Sequence, residues 1–453
     1  MRRASLAALT LAGAAAAVPL GGAVAQQRMP FPPLPLPVEA EVQPVLGFSL
    51  SQSLEADSNY DLDEDPAGTT YYGETRFAVD YLRDIDTRRL GVGLDTGLRG
   101  VDQPEQDFDW IAASPSTGYL DYRIEGVDTL LDASLAARSR IVDTTSTLFI
   151  EGDPTDPSVP DTLEQVNLDA REYRYDANIG FTGGTTSPST WGVRVLATSF
   201  DYDKETTDDL APRVTVNPQA NWQLQLTPVL SGALFGGYYY YNADDTGNTE
   251  VRVGEADAGV VYDPSEVLSL GVGLGYADRK REQEVNGLRE TVDHEKGPVL
   301  RANLRYVLPE ATLVGNVRWT TASAENNHFS GTLGGFYALP RGVLSGSIYQ
   351  LATGDSAGNE VRVTGAAIGL EHEVNSVSRI GLDFAWATQV SLESEFESPD
   401  ITRTDFVVSY AYDITAAVSA EVGYNYRTRD EDPIDADGHR VYLLLGRSFE
   451  TGL

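Results

Sequence analysis

Arg213 to Thr227 reads RVTVNPQANWQLQLT, and its alternation constrains the fold more than any other stretch. Val214, Val216, Ala220, Trp222, Leu224 and Leu226 fall on one parity. Arg213, Thr215, Asn217, Gln219, Asn221, Gln223 and Gln225 fall on the other. Successive side chains of a strand leave on opposite faces, so this segment has an apolar face and a face of amides and an Arg. A strand at the surface of a soluble protein can have such a polar face. Here the pattern recurs from about residue 45 to the end of the chain, behind a secretion signal. That combination points to a closed antiparallel sheet with lipid outside and a wet lumen inside.

The signal is read from three features. Arg2 and Arg3 form a charged start, Leu6 to Leu20 is an apolar run, and Ala23-Val24-Ala25 is an A-x-A cleavage site. The mature chain is therefore expected to begin at Gln26, after export by a Sec-type route. The apolar run is shorter than the ~20 residues of a spanning helix. Residues 26–44 form a lead rich in proline, with Pro30, Pro32, Pro33, Pro35, Pro37 and Pro44. Such a segment is extended and polyproline-like, and is read as a periplasmic spacer. Residues 45–453 are read as one barrel.

Composition agrees with this reading. There is no cysteine, which excludes a disulfide scaffold, a thiolate metal site and a lipidated Cys anchor. A hydrophobic fraction of 41% is what a barrel gives when only half of each strand faces lipid. The formal charge of −35 repels nucleic acid and attracts cations.

The strands are read from parity. Phe48, Leu50 and Leu54 share a face, as do Phe77, Val79 and Tyr81, and then Leu90, Val92, Leu94 and Leu98. Leu268, Leu270, Val272, Leu274 and Tyr276 stand opposite Ser269, Gly271, Gly273 and Gly275. Short connections such as Asp84–Thr87 and Asp263–Glu266 alternate with long polar ones. The long ones include Asp57–Thr69, Val101–Pro115, Ile141–Glu164, Asp278–Thr291 and Arg427–Gly438. The fold class is all-β: a transmembrane antiparallel up-and-down β-barrel of about 20 strands, within roughly 16–22. Both termini are expected on the periplasmic side.

The layout resembles the β-barrel porin 2 type of outer-membrane protein, common in alphaproteobacteria. The residues that carry the resemblance are a first strand running into LEADSNYDLDEDPAGTTYY (Leu54 to Tyr72), Gly/Tyr-rich hairpins, and the closing strand VYLLLGRSFE (Val441 to Glu450). The resemblance implies the outer membrane of a Gram-negative bacterium and names no solute. The last strand, with Tyr442 and Phe449, also resembles the recognition signal of the barrel-insertion machinery, although Phe449 is not terminal.

Several residues are candidates for function. Asp57, Asn59, Asp61, Asp63 and Asp65 alternate in the first long loop, and oxygen ligands in that pattern suit a hard divalent cation. The loop departs from the EF-hand pattern, with Leu62 where Gly is needed and Gly68 where Glu is needed. The bland reading is a solvated loop tip. Acidic loops of this kind are also read as bridging to lipopolysaccharide through divalent ions.

By parity Arg76, Asp80, Asp95, Arg99, Arg174, Asp176, Arg194, Arg301, Arg305, Arg318 and Asp383 point inward. A charge facing lipid costs ~2–4 kcal/mol for Arg at the midplane, so inward placement is expected. Such side chains either set ion selectivity or pair and fill the lumen. Asp80 with Arg99 is one pairing guess. Tyr238 to Tyr241, with Trp191, Trp222, Trp319 and Trp386, suit the aromatic girdles of a membrane protein.

Catalysis is not expected. His294, His328, His372 and His439 are isolated, with neither an H-E-x-x-H nor a G-x-S-x-G arrangement. No cofactor is expected beyond a divalent cation at the acidic loops. The functional expectation is porin-like passage of small hydrophilic solutes, favouring cations. The alternative is a non-conducting barrel whose loops bind divalent ions, lipopolysaccharide or a partner.

Overall fold

The computed structural model describes residues 45–452, apart from positions 61, 63, 86, 105–108, 113–115, 142–170, 204–210, 246, 286, 323–327, 355–359, 392–399 and 432–433. The signal, the proline-rich lead, Asp61 and Asp63 lie outside the described residues.

The described chain is strand after strand. The first are β1 (Val45–Asp57), β2 (Thr70–Ile85), β3 (Arg88–Asp102), β4 (Asp109–Ala112), β5 (Ser116–Glu125) and β6 (Thr129–Ile141). Next come β7 (Arg171–Gly183), β8 (Ser189–Tyr202), β9 (Arg213–Thr227), β10 (Leu230–Ala243) and β11 (Glu250–Ser265). Then follow β12 (Leu268–Val285), β13 (Leu288–Val307), β14 (Ala311–Thr320), β15 (His328–Leu339) and β16 (Gly342–Gly354). The last are β17 (Glu360–Asn375), β18 (Ser378–Ser391), β19 (Ile401–Thr415), β20 (Val418–Glu431) and β21 (Ile434–Gly452).

Apart from β4, each strand pairs antiparallel with the next, β3 pairing with β5, and β21 pairs back onto β1 from Val45↔Gly452 to Asp57↔Arg440. The short β4 lies against the far end of β3, beyond the stretch paired with β5, so β4 and β5 share one position. Among the described residues the result is a closed 20-strand barrel. Closure satisfies every ladder and removes the sheet edges, which a lipid-exposed backbone requires.

Parity decides the two faces as expected. The large apolar residues exposed on the outside include Leu50, Leu54, Phe77, Leu94, Leu135, Ile179, Val193, Leu274 and Ile368. On β12 the outward series runs Leu270, Val272, Leu274 and Tyr276, and changes to charge at Asp278. From Leu268 to Tyr276 is about the 9–11 residues that a tilted strand needs to cross a membrane. The outward apolar face is therefore a lipid belt.

One end carries the chain ends and short turns such as 228–229, 266–267, 340–341, 376–377 and 416–417. We call it the turn end, and the other the loop end. Two stretches expected as long loops are instead strand. Asp278–Thr291 is the paired tip of β12 and β13, and Arg427–Gly438 is the tip of β20 and β21. Their polar sequences read as loop because they rise above the belt, where the outward face meets water and the inward face carries buried polar groups such as Arg279, Arg427 and Arg429. The backbone pairing simply continues.

Candidate functional site in the barrel lumen

The residues expected to point inward all lie on the parity opposite the lipid belt. Their partners differ from simple neighbours. On β2 and β3 the hub is Glu74, which accepts from Arg99 Nε (3.0 Å) and Nη2 (2.9 Å) and from Arg76 Nη1 (2.9 Å). Arg76 Nη2 reaches Asp95 at 2.8 Å. The expected Asp80–Arg99 pair is not formed. Register places Glu74 directly opposite Arg99, while Asp80 faces Gly93 and accepts instead from the Tyr119 hydroxyl at 2.8 Å.

A second network crosses from β11 to β14. Arg301 Nε donates to Asp257 at 2.9 Å, Arg301 Nη2 also donates to Glu255, and Arg318 Nη2 donates to Glu255 at 3.0 Å. The Arg301 guanidinium also lies 5.0 Å from the centre of the Phe235 ring. Arg301 reaches β11 by passing over β12, whose inward residues there, Gly273 and Gly275, present no side chain. This is why the inward face of β12 is glycine-rich.

A third network occupies β6 to β9. Arg174 Nε donates to Asp176 at 2.9 Å, Arg194 Nη2 reaches Asp132 at 3.3 Å, and Arg174 and Arg213, the cross-strand partners of Phe200, both lie over its ring, 5.1 Å and 4.1 Å from the centre.

The two halves of the lumen differ. Toward the loop end, inward groups are buried: Asp57, Arg174, Asp405, Asn425 and Arg427 are at most 1% exposed. An inward apolar cluster of Tyr349, Leu351, Val361, Val363, Ala385, Ala387 and Ile401 is buried there too. Toward the turn end, inward Ser49, Asp80, Arg89 and Asp121 are exposed.

In this turn-end half, Asp383 on β18, Glu371 on β17 and Glu421 on β20 all point into the lumen, Glu371 standing opposite Gly381 and Glu421 opposite Ala411 of β19. Tyr442 donates its hydroxyl to Glu421 at 2.9 Å. None of the three carboxylates makes an ion pair among the described residues. Carboxylates on one lumen wall without an ion-pair partner attract a mobile cation. Parity had singled out Asp383 but not Glu371, Glu421, Glu74, Glu255 or Asp257. The signal was there: Glu371 and Glu421 alternate with the outward Leu370 and Val422.

The first acidic loop is held by protein partners. Asp57 Oδ2 accepts from Arg427 Nη2 at 2.5 Å, with both side chains fully buried, and Asp57 Oδ1 accepts from the Asn59 amide at 3.1 Å. Asn59 Nδ2 donates to the Asp437 carbonyl at 2.9 Å, and the Ser58 amide donates to the His439 carbonyl at 2.9 Å. Leu62 is buried with φ +52°, a left-handed conformation unusual for a branched residue. Asp65 is exposed. Among the described residues no group of three or more His, Asp or Glu is placed to hold a metal ion.

The remaining candidates divide by face. Tyr238 and Trp222 are exposed on the outside, while Tyr241 is buried inward. Phe449 is exposed on the outside, opposite Phe48 across the β1–β21 seam, and Tyr442 points into the lumen.

No family model matches the chain, and no curated protein matches it. The resemblance to the porin 2 type therefore rests on sequence pattern alone. Among solved structures, the ferric-catecholate import receptor Fiu from E. coli K12 is similar at 8% identity and a TM-score of 0.44, over 89% of this chain and 81% of that one. The FrpB iron transporter from Neisseria meningitidis is similar at 8% identity and 0.46, over 89% and 81%. The copper transporter OprC is similar at 10% identity and 0.46, over 89% and 80%. At these identities the likeness is of general barrel form.

Proposed function

We propose that this chain is an outer-membrane barrel that passes small hydrophilic solutes through its lumen and favours cations. In this reading the turn end faces the periplasm and the loop end faces outward. The observation that carries it is the trio Asp383, Glu371 and Glu421, in the more accessible half of the lumen, which has no ion-pair partner among the described residues. The sequence of the loop-end connections adds to the same field, with Asp61, Asp63, Glu64 and Asp65 in one and Glu393, Glu395, Glu397 and Asp400 in another. A mouth lined by one sign of charge raises the local concentration of the opposite ion.

The test is single-channel conductance of refolded protein in a planar bilayer under a salt gradient. Stable steps with a cation-selective reversal potential are expected. The triple variant Asp383→Asn, Glu371→Gln, Glu421→Gln should keep the steps and lose much of that selectivity. Silence from protein shown to be folded by heat-modifiable gel mobility would sink the pore.

One observation favours a second reading, a barrel that does not conduct. The loop half of the lumen is filled by buried ion pairs and by the apolar cluster around Val363. In that case the acidic loops serve as a surface for divalent ions, lipopolysaccharide or a partner, and the same bilayer experiment separates the two.

A further inference from the structure

The outer wall of the barrel has an arrangement that a lipid belt alone does not explain. Above Tyr276 the outward residues of three neighbouring strands form rows. The first row is Asp278 on β12 and Lys296 on β13, beside Gly254 on β11. The next is Arg252 on β11, Lys280 on β12 and His294 on β13, each facing its neighbour across the sheet. Like charges directly opposite one another destabilise a sheet. The carboxylates that share these cations, Glu250 and Glu282, stand one row further from the membrane. The two rows nearest the lipid therefore carry three formal cations against the single carboxylate of Asp278, in a chain whose formal charge is −35.

The cations are solvent-exposed although each is ion-paired, Arg252 with Glu250, Lys280 with Glu282 and Lys296 with Asp278 at 2.7 Å. The side chains of Arg252, Lys280 and Lys296 are 44%, 37% and 48% exposed. A side chain at Gly254 would meet nothing within 4 Å, so an open notch lies between Arg252 and Asp278. Tyr238, outward and exposed, borders it from β10. The chain has only three lysines, Lys204, Lys280 and Lys296, and two of them are here.

Height completes the argument. At ~3.3 Å per residue and a strand tilt of ~40°, the Lys296 row stands about 5 Å above Tyr276 and the Arg252 row about 10 Å. The polar headgroup zone is roughly 5–8 Å deep on each side of the hydrocarbon, so the Lys296 row stands within it and the Arg252 row just above it, from where Arg252 and Lys280 reach it with their long side chains.

We infer that this face of the β11–β13 hairpin is a docking site for the phosphorylated headgroup of an outer-leaflet glycolipid. Arg252, Lys280 and Lys296 hold the phosphate, and the acyl chains lie on Leu274 and Tyr276 below. The inference rests on the outer-membrane reading above, in which the loop end faces outward. A cation shared between a phosphate and its own carboxylate is still favourable, because Arg and Lys each present several donors.

The test uses the refolded full chain in detergent and native mass spectrometry. The probes are bisphosphorylated lipid A, the same lipid after phosphatase treatment, and inorganic phosphate. Bisphosphorylated lipid A should bind. The triple variant Arg252→Gln, Lys280→Gln, Lys296→Gln should weaken it about tenfold, or ~1.4 kcal/mol, with unchanged heat-modifiable mobility. Glu282→Gln should tighten it, because a competing carboxylate is gone. Equal affinity for the phosphatase-treated lipid, or full retention by the triple variant, would overturn the site. Competition by inorganic phosphate at equal affinity would overturn the lipid as its occupant. Specific lipid A binding by a chain that fractionates away from the outer membrane would support the site while overturning the location.

Discussion

Glu255 is the residue on which most of one lumen wall depends. Its side chain is fully buried and accepts from both Arg301 and Arg318. Glu255→Gln removes the charge but keeps the shape, leaving two guanidiniums sharing Asp257. Breaking a buried pair from one side costs about 3–5 kcal/mol, so the variant should unfold at clearly lower temperature on heat-modifiable gels. Asp128 acts at the other extreme of exposure, in a turn at the turn end. The Thr186 amide (2.8 Å) and hydroxyl (2.9 Å) both donate to it and hold its carboxyl below the usual carboxylate range. A group lowered in the folded state stabilises it above the unfolded pKa of ~3.9, and loses that contribution as pH falls through the folded value. Thr186→Val should therefore be less stable than the parent at neutral pH, with the gap closing as the medium is acidified below pH 3–4. A gap unchanged by pH would show that Asp128 does not mediate it.

Elements were legible where one face is uniformly apolar. β9 and β12 show their period in the bare letters, and so does the inward placement of Arg301 and Asp383. Which inward charges meet was not legible, because it depends on register. A shift of one residue would exchange lumen and lipid faces throughout, but the partner of Arg99 is set by which residue of β2 stands opposite. The polar hairpin tips hid for a different reason: once neither face is apolar, the alternation that betrays a strand disappears. Glycine has a specific part in strand pairing. Tyr119 lies over Gly93, and Tyr442 lies over Gly423, each its direct cross-strand partner. A Cβ at Gly423 would sit 2.2 Å from the Tyr442 ring, so the ring must leave and its bond to Glu421 is lost. Aromatic rings covering glycines help pin register. Gly423→Val should thus lower the unfolding midpoint more than Tyr442→Phe, which keeps the ring and loses only the hydroxyl. The opposite order would remove the packing argument.

At the scale of the whole molecule, the barrel separates two tasks by face and by height. The lipid belt is uniform, the loop half of the lumen is packed with paired charge, and the turn half presents acids to solvent. The same geometry makes the selectivity change in the bilayer experiment specific to the turn half, since the ion pairs above it have internal partners. One more property follows from the β1–β21 seam. It is closed along the whole of β1 and clasped at its loop end by Asp57 with Arg427, Asn59 with Asp437, and Ser58 with His439. Among the described strands the one that completes the ring is synthesised after all the others, and its partner before them. Until β21 arrives, β1 and β20 are two sticky borders with unpaired backbone groups, unable to rest in hydrocarbon and free to seize other chains. Maturation of this protein is then a race between zipping one seam shut and aggregation, decided by the nineteen residues of β21.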